Sequence, residues 1–196
     1  FDADREELIA SLPSAGVDLV VNCGCDAVSS AASVAFTEKY DFFYAAVGWH
    51  PHDVNTWTDE SPDMLRAWAQ RDKVVAIGEI GLDYHWDDIP KKTQMKWFIR
   101  QAELSNELDL PVVIHSRDAA KDTYDVLKQV KTGEGSGIIH CFSYGKEMAR
   151  QFLDLGYYIA LGGVVTFKNA KHAKEVAAYV PRDRLLLEAD CPYMAP

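Results

Sequence analysis

The chain has 196 residues, of which 48% are hydrophobic, and this length and composition suit one buried core, so we predict a single domain over 1–196. No apolar run reaches the roughly 18 residues of a membrane helix, so we expect no membrane partner. The net charge of −10 argues against non-specific nucleic-acid binding through a broad basic face, but bound cations and local Arg or Lys can reverse the field inside one pocket.

Short apolar runs alternate with amphipathic stretches from one end of the chain to the other. The chain begins with an amphipathic stretch at 3–15, and the first apolar run follows at 17–24. The predicted strands are 17–24, 42–49, 74–82, 110–116, 137–142, 157–163 and 185–191. The predicted helices are 3–15, 26–40, 58–72, 91–108, 117–131, 144–155 and 168–179.

This alternation predicts an α/β fold, and seven strands are one fewer than an eight-stranded barrel requires. A closed barrel of this kind starts with a strand and finishes with a helix, whereas this chain starts with a helix and stops just after a strand. We therefore predict a (β/α)8 TIM-type barrel whose first strand and last helix are absent from this chain. An open doubly wound sheet is the alternative, although 22–25 lacks its Gly-rich phosphate loop.

Four residues with metal-binding side chains end four of the apolar runs within these predicted strands. They are Glu79, His115, His140 and Asp190. The carboxyl ends of parallel barrel strands meet at one rim, and that rim carries the chemistry of such barrels. Carboxylate oxygens and imidazole nitrogens bind divalent cations, so this set predicts a metal site and a hydrolase.

Strand alternation predicts which side chains share a face with these residues. Ile77, Glu79, Gly81 and Asp83 are expected to share one face of the third strand. Glu188 lies on the same face as Asp190, so one of these two carboxylates would bind metal or take a proton from the attacking water, and the other would support it.

Two further residues are predicted to contact a substrate phosphate. His50 follows another strand end, where it could instead support a metal ligand, and the remaining alternative is a loop histidine without a role. Arg117 lies two residues after His115, where a guanidinium suits bidentate phosphate recognition, and its alternative is a salt bridge to Asp83 or Glu79. The aromatic residues at 84–86 either stack on a base or pack the loop.

Five blocks of the sequence resemble the TatD-type metal-dependent deoxyribonucleases, a family of the metal-dependent hydrolase superfamily on the (β/α)8 barrel. The blocks are VGWHPH at 47–52, GEIGLDY at 78–84, PVVIHSRDA at 111–119, IHCFS at 139–143 and LLEADCPY at 186–193. They run in order along the chain, so the resemblance is far more specific than one short motif.

The resemblance implies two divalent cations, Mg, Mn or Zn, with Glu79 as the bridging ligand. His115 and His140 match the two histidines that complete one cation position, and Asp190 matches the aspartate of the last strand. The family also uses a His-x-His pair on a first strand, and this chain does not contain that pair. Lys121 is a smaller departure, because the family often has an acidic residue there.

These observations predict a metal-dependent hydrolase that cleaves DNA phosphodiesters, with Glu79 and Asp190 as its catalytic residues and with single strands or strand ends as its substrate. One alternative is an ester or amide hydrolase, for example one that removes an aminoacyl group from tRNA. Another is a metal-poor barrel without enzymatic activity. The four cysteines suggest no disulfide framework, so we expect a cytoplasmic enzyme, and no obligate protein partner is indicated.

Overall fold

The computed structural model describes residues 1, 3–130, 137–191, 193 and 194. Within them the chain forms a sheet of seven parallel strands, arranged side by side in chain order and curled into an open part of a barrel. The strands are β1 (Val20–Cys23), β2 (Phe43–Val47), β3 (Val74–Asp83), β4 (Val112–Arg117), β5 (Gly137–Ile139), β6 (Tyr158–Leu161) and β7 (Leu185–Leu187).

One α-helix precedes β1, and one follows each of the first six strands, β1 to β6. The helices are α1 (Arg5–Ser11), α2 (Ala27–Lys39), α3 (Ser61–Ala69), α4 (Lys91–Leu108), α5 (Ala120–Val130), α6 (Lys146–Asp154) and α7 (Lys171–Tyr179). A doubly wound sheet would reverse its strand order at a switch point. The sequential order β1 to β7 shows no reversal, so the barrel-type α/β prediction is confirmed.

Several elements are shorter than predicted, because strand pairing ends before the apolar runs do. The strand predicted at 185–191 is paired only over Leu185–Leu187, and the one predicted at 137–142 ends at Ile139. The helix predicted at 117–131 begins only at Ala120, because Arg117 is still paired with β3, and residue 131 lies outside the described residues. No helix in the described ranges is long and apolar enough to span a bilayer.

The core consists of two apolar layers on opposite faces of the sheet. The larger layer lies between the sheet and the helices, and it includes strand residues such as Ile80 and Ile114 together with Phe98 of α4 and Phe152 of α6. The smaller layer lies on the concave face, where Ala46, Ala76 and Val113 form a separate cluster. Side chains that share this concave face point into the barrel, so they can meet above the smaller layer.

A β-bulge in β3 decides which side chains reach that concave face. Ile77 pairs with Val112 and Ile80 pairs with Ile114, so β3 has one more residue than β4 between these pairs. Ile77 therefore lies in the helix-facing layer together with Ile80. The expectation that Ile77 shares a face with Glu79 was wrong, because strict alternation does not hold across the bulge.

Two buried glutamines of α4 hold the strand ends that surround the barrel mouth. The Gln101 side chain accepts a hydrogen bond from the Trp49 N–H at 2.7 Å and donates one to the Trp49 carbonyl at 3.1 Å. Gln94 pairs with the Asp83 backbone in the same way, at 2.9 Å for each bond. Because the amide oxygen and nitrogen of both buried glutamines are hydrogen-bonded, they fix two rim segments to one helix.

Candidate metal centre

Three of the four predicted ligands meet above the concave face. The Oε1 atom of Glu79 in β3 lies 2.9 Å from Nδ1 of His115 in β4. The same oxygen lies 3.8 Å from Nε2 of His140, which follows β5 directly. All three side chains are largely buried, with exposed fractions of 12–19%. Three adjacent parallel strands therefore deliver one carboxylate and two imidazoles to one point.

His50 belongs to the same group of side chains. Its Nε2 atom lies 3.8 Å from Oε1 of Glu79, and its ring packs edge-on against the His115 ring with 4.4 Å between centroids. Ligand atoms of His50, Glu79 and His115 all lie within 4.8 Å of one another. The sequence suggested His50 as a phosphate contact. In the structure, His50 lies close enough to Glu79 to share a cation with it.

Asp83 provides a second carboxylate on the other side of His115. Its Oδ2 atom lies 3.0 Å from Nε2 of His115 and 3.3 Å from Nε2 of His52. Its Oδ1 atom accepts a hydrogen bond from the His85 N–H at 2.9 Å, and the side chain is only 1% exposed. Sequence reasoning gave Asp83 no role of its own, although its place four residues after Glu79 at the same strand end could have suggested one.

Glu188, which directly follows β7, supports His140. Its Oε2 atom lies 2.6 Å from Nδ1 of His140, and its Oε1 atom accepts a hydrogen bond from the Cys141 N–H, also at 2.6 Å. Since Glu188 occupies Nδ1, the Nε2 atom of His140 remains directed toward Glu79. A carboxylate behind a histidine in this way fixes the ring and raises its basicity as a ligand.

The other two predicted site residues are less closely engaged. Among the described residues, Asp190 makes no side-chain hydrogen bond or ion pair with Glu79, His115 or His140, although its charge contributes to a raised pKa of His140. Arg117 is exposed and has no ion-pair partner in the described part of the chain. The alternative of a salt bridge from Arg117 to Asp83 or Glu79 is therefore not observed.

The electrostatics of the site favour a bound cation. Burial alone would raise the pKa of Glu79, but its hydrogen bond to His115 and the other nearby imidazoles lower that pKa to about 2. Burial alone would lower the pKa of His140, but Glu188, Glu79 and Asp190 raise it to about 9. Asp83 and Glu79 likewise outweigh burial and raise the pKa of His115. In the absence of a cation, a proton on His140 offsets part of the negative charge of the carboxylates.

His50 behaves differently from the other two imidazoles. Burial, followed by the neighbouring His115, lowers the pKa of His50 to about 3, against the opposing effect of Glu79. His50 is therefore neutral near pH 7, the form in which imidazole binds metal. The Nε2 atom of His52 is buried and makes no hydrogen bond within the described residues, although an oxygen of Asp83 lies 3.3 Å from it. A buried carboxylate oxygen, converging nitrogens and a neutral His50 together fit a divalent cation.

Comparison with known proteins agrees with this chemistry. The chain matches the family described as TatD related DNase over residues 1–196. It is 43% identical to the uncharacterized metal-dependent hydrolase YabD of Bacillus subtilis, over 100% of this chain and 77% of that protein. It is 37% identical to the 3'-5' ssDNA/RNA exonuclease TatD of Cronobacter turicensis, over 100% of this chain and 75% of that protein.

A solved structure agrees as well. The crystal structure of YjjV, a TatD homologue from Escherichia coli K12, superposes with a TM-score of 0.92 at 35% identity, over 98% of this chain and 74% of that one. This chain thus spans about three quarters of the length of each of these three relatives. The matched family, the relatives and the shared fold together establish that the chain belongs to the TatD-related DNase family of metal-dependent hydrolases.

Proposed function

We propose that this protein hydrolyses phosphodiester bonds in single-stranded DNA, with divalent cations held at the candidate metal centre. The observation that carries the proposal is the convergence of His50, His115 and His140 on one oxygen of Glu79 at the carboxyl ends of the strands. A relative named a 3'-5' ssDNA/RNA exonuclease, matched over the whole chain, supports the choice of substrate and suggests digestion from strand ends.

The residues that would hold two cations are Glu79, His115, His140 and Asp190, with Glu79 shared between them. Bound divalent cations would polarise the phosphate, lower the pKa of a bound water and stabilise the leaving oxygen. Mg²⁺, Mn²⁺ and Zn²⁺ all suit a mixed set of carboxylates and imidazoles. Glu79 is ready to bind because its lowered pKa keeps it ionised at neutral pH.

The other side chains of the site would orient the ligands and the substrate. Glu188 and Asp83 hold the rings of His140 and His115 from behind, so that these two imidazoles need not reorganise when a cation binds. Asp190 would accept the proton of the attacking water at a carboxylate oxygen. Arg117, which no described carboxylate pairs, would bind a non-bridging phosphate oxygen.

The experiment is hydrolysis of end-labelled single-stranded DNA by the purified protein with Mg²⁺, Mn²⁺ or Zn²⁺, and with excess chelator. We expect cleavage that requires a cation and falls to background in Glu79→Ala. Glu147→Ala is the matched control, because Glu147 is a 77% exposed residue of α6 and its loss should leave the rate unchanged.

Two results would contradict the proposal. The first is cleavage that persists in Glu79→Ala, which would place the reaction elsewhere. The second is no cleavage by folded, metal-loaded protein, which would indicate that the same ligands serve the hydrolysis of another type of bond. A carboxylic ester and an aminoacyl-tRNA are therefore included as substrates, because cations can polarise a carbonyl as well as a phosphate.

A further inference from the structure

Hydrogen bonds fix the first two residues of the loop that follows β3, which are Tyr84 and His85. The Tyr84 hydroxyl donates a hydrogen bond to Asp122 at 2.8 Å, and the Tyr84 N–H bonds to the Arg117 carbonyl at 2.9 Å. His85 Nδ1 lies 3.2 Å from a carboxylate oxygen of Asp118. These contacts attach the loop to the end of β4 and the start of α5, so the backbone that carries the next residue is held in place.

That next residue is Trp86, and it remains 51% exposed. An exposed indole offers a large aromatic surface that a flat ligand can cover, and aromatic rings contribute most when they are buried. The His85 ring meets it edge-on, with 4.8 Å between centroids and 89° between planes. The Arg117 guanidinium carbon lies over the Trp86 ring, 6.0 Å from its centroid. A planar cation and a half-exposed aromatic surface thus lie together at the barrel mouth.

Arg117 connects this aromatic surface to the metal centre. It is paired in register with Asp83, whose carboxylate contacts His115. Arg117 thus places a positive charge at the same rim as His115, in a chain whose net charge is −10. A local cation of this kind can attract a polyanion to one part of an acidic surface.

We propose that Trp86 and Arg117 form a nucleotide subsite, in which an unpaired base stacks on the Trp86 ring and the Arg117 guanidinium binds an adjacent phosphate. Every base has a flat π-face, so stacking on an aromatic side chain accepts any sequence but requires the base to be free of its neighbours. Bases in a duplex are already stacked and paired. The subsite rests on the nuclease function proposed above, and it adds a physical reason for selecting single strands over duplex.

The test separates the base from the phosphate. Wild-type protein and Trp86→Ala are compared on a single-stranded oligonucleotide, on the same oligonucleotide with abasic nucleotides at its ends, and on duplex. Removal of one stacking interaction should raise KM for the ordinary single strand about 10- to 100-fold. On the abasic strand the two proteins should be equal. Trp86→Phe, which retains a ring, should recover most of the loss, and metal content and thermal midpoint should not change.

Arg117 is tested in the same assay. Arg117→Ala should raise KM for the ordinary and the abasic strand alike, because both retain their phosphates. It should also make binding less sensitive to salt, since one phosphate contact is lost. Arg150→Ala, at an exposed arginine of α6, is the matched control and should change neither quantity.

Binding by the inactive Glu79→Ala protein distinguishes failure of the subsite from failure of the nuclease function. Trp86-dependent binding of single strands without cleavage by the wild-type protein would overturn the nuclease proposal alone. Cleavage that is equal in wild type and Trp86→Ala, or reduced equally on ordinary and abasic strands, would overturn the subsite alone. If single-stranded DNA is neither bound nor cleaved, both are overturned.

Discussion

Replacing Asp83 by Asn should weaken metal binding without changing the size of the side chain. One oxygen of the Asp83 carboxylate accepts a hydrogen bond from the His85 N–H. The other oxygen faces Nε2 of His115. An amide has only one oxygen. If its NH₂ group faced His85, two donors would oppose each other, so the NH₂ group should face His115 instead.

That arrangement changes which nitrogen of His115 carries the proton. Nε2 would have to accept from the new amide, so the proton would move to Nδ1, the atom 2.9 Å from Glu79. The nitrogen nearest the shared carboxylate would then have no lone pair to offer a cation. Loss of such a supporting carboxylate typically weakens metal affinity about 10- to 100-fold, which corresponds to about 1.4–2.7 kcal/mol.

The assay is calorimetric titration of chelator-treated protein with Mn²⁺, comparing wild type and Asp83→Asn. Asp63→Asn serves as the control, because Asp63 is an 83% exposed residue of α3 that is paired only with Arg66 among the described residues. Equal affinities for wild type and Asp83→Asn, within about twofold, would refute the reasoning that Asp83 sets the tautomer of His115.

Two further predictions concern stability. Gln101→Met keeps the side-chain volume, but the methionine cannot hydrogen-bond to the Trp49 backbone. It should therefore lower the free energy of unfolding by about 1–3 kcal/mol for each backbone group left without a partner. An unchanged denaturant midpoint would contradict this expectation. At Gly81, where φ is +146°, an alanine Cβ would lie 1.9 Å from the His115 carbonyl oxygen. Gly81→Ala should therefore destabilise the fold by more than the roughly 1–3 kcal/mol of backbone strain alone. Gly16→Ala is its control, because Gly16 has φ +85° with nothing within 4 Å of a Cβ; equal losses in the two variants would exclude the clash.

The sequence predicted the strands and their order well because each buried parallel strand is a separate apolar run. The runs that contain Val112 and Ile139 end in polar residues, and those residues mark the rim regardless of the exact strand ends. Three of the four predicted ligands meet for this reason. His50 was expected at the same rim, but its approach to Glu79 was not predicted, because a histidine three residues beyond a strand can point in several directions.

The supporting contacts were harder to predict because they join distant parts of the chain. Glu188 meets His140 across 48 positions, and Gln101 meets Trp49 across 52. The helix and strand periods of a sequence relate only residues a few positions apart, so they cannot predict such pairs. Gln94 and Gln101 did carry a signal, since they lie seven residues apart on the face of α4 that also buries Phe98. A polar residue on an apolar helix face requires a buried partner, and here that partner is the backbone of two rim segments.

The bulge in β3 makes the direction of the acidic side chains depend on their apolar neighbours. With regular pairing, this same sequence would send Ile80 and Leu82 into the barrel and would turn Asp83 toward the helices. Burying each of these two aliphatic side chains in the helix-facing layer contributes about 1.5–3 kcal/mol, and this contribution selects the bulged register. The hydrophobic core thus determines which way the acidic side chains of the candidate metal centre point. We expect a screen for activity to detect substitutions at Ile80 and Leu82 as well as substitutions of the candidate ligands, although both side chains lie in the helix-facing layer.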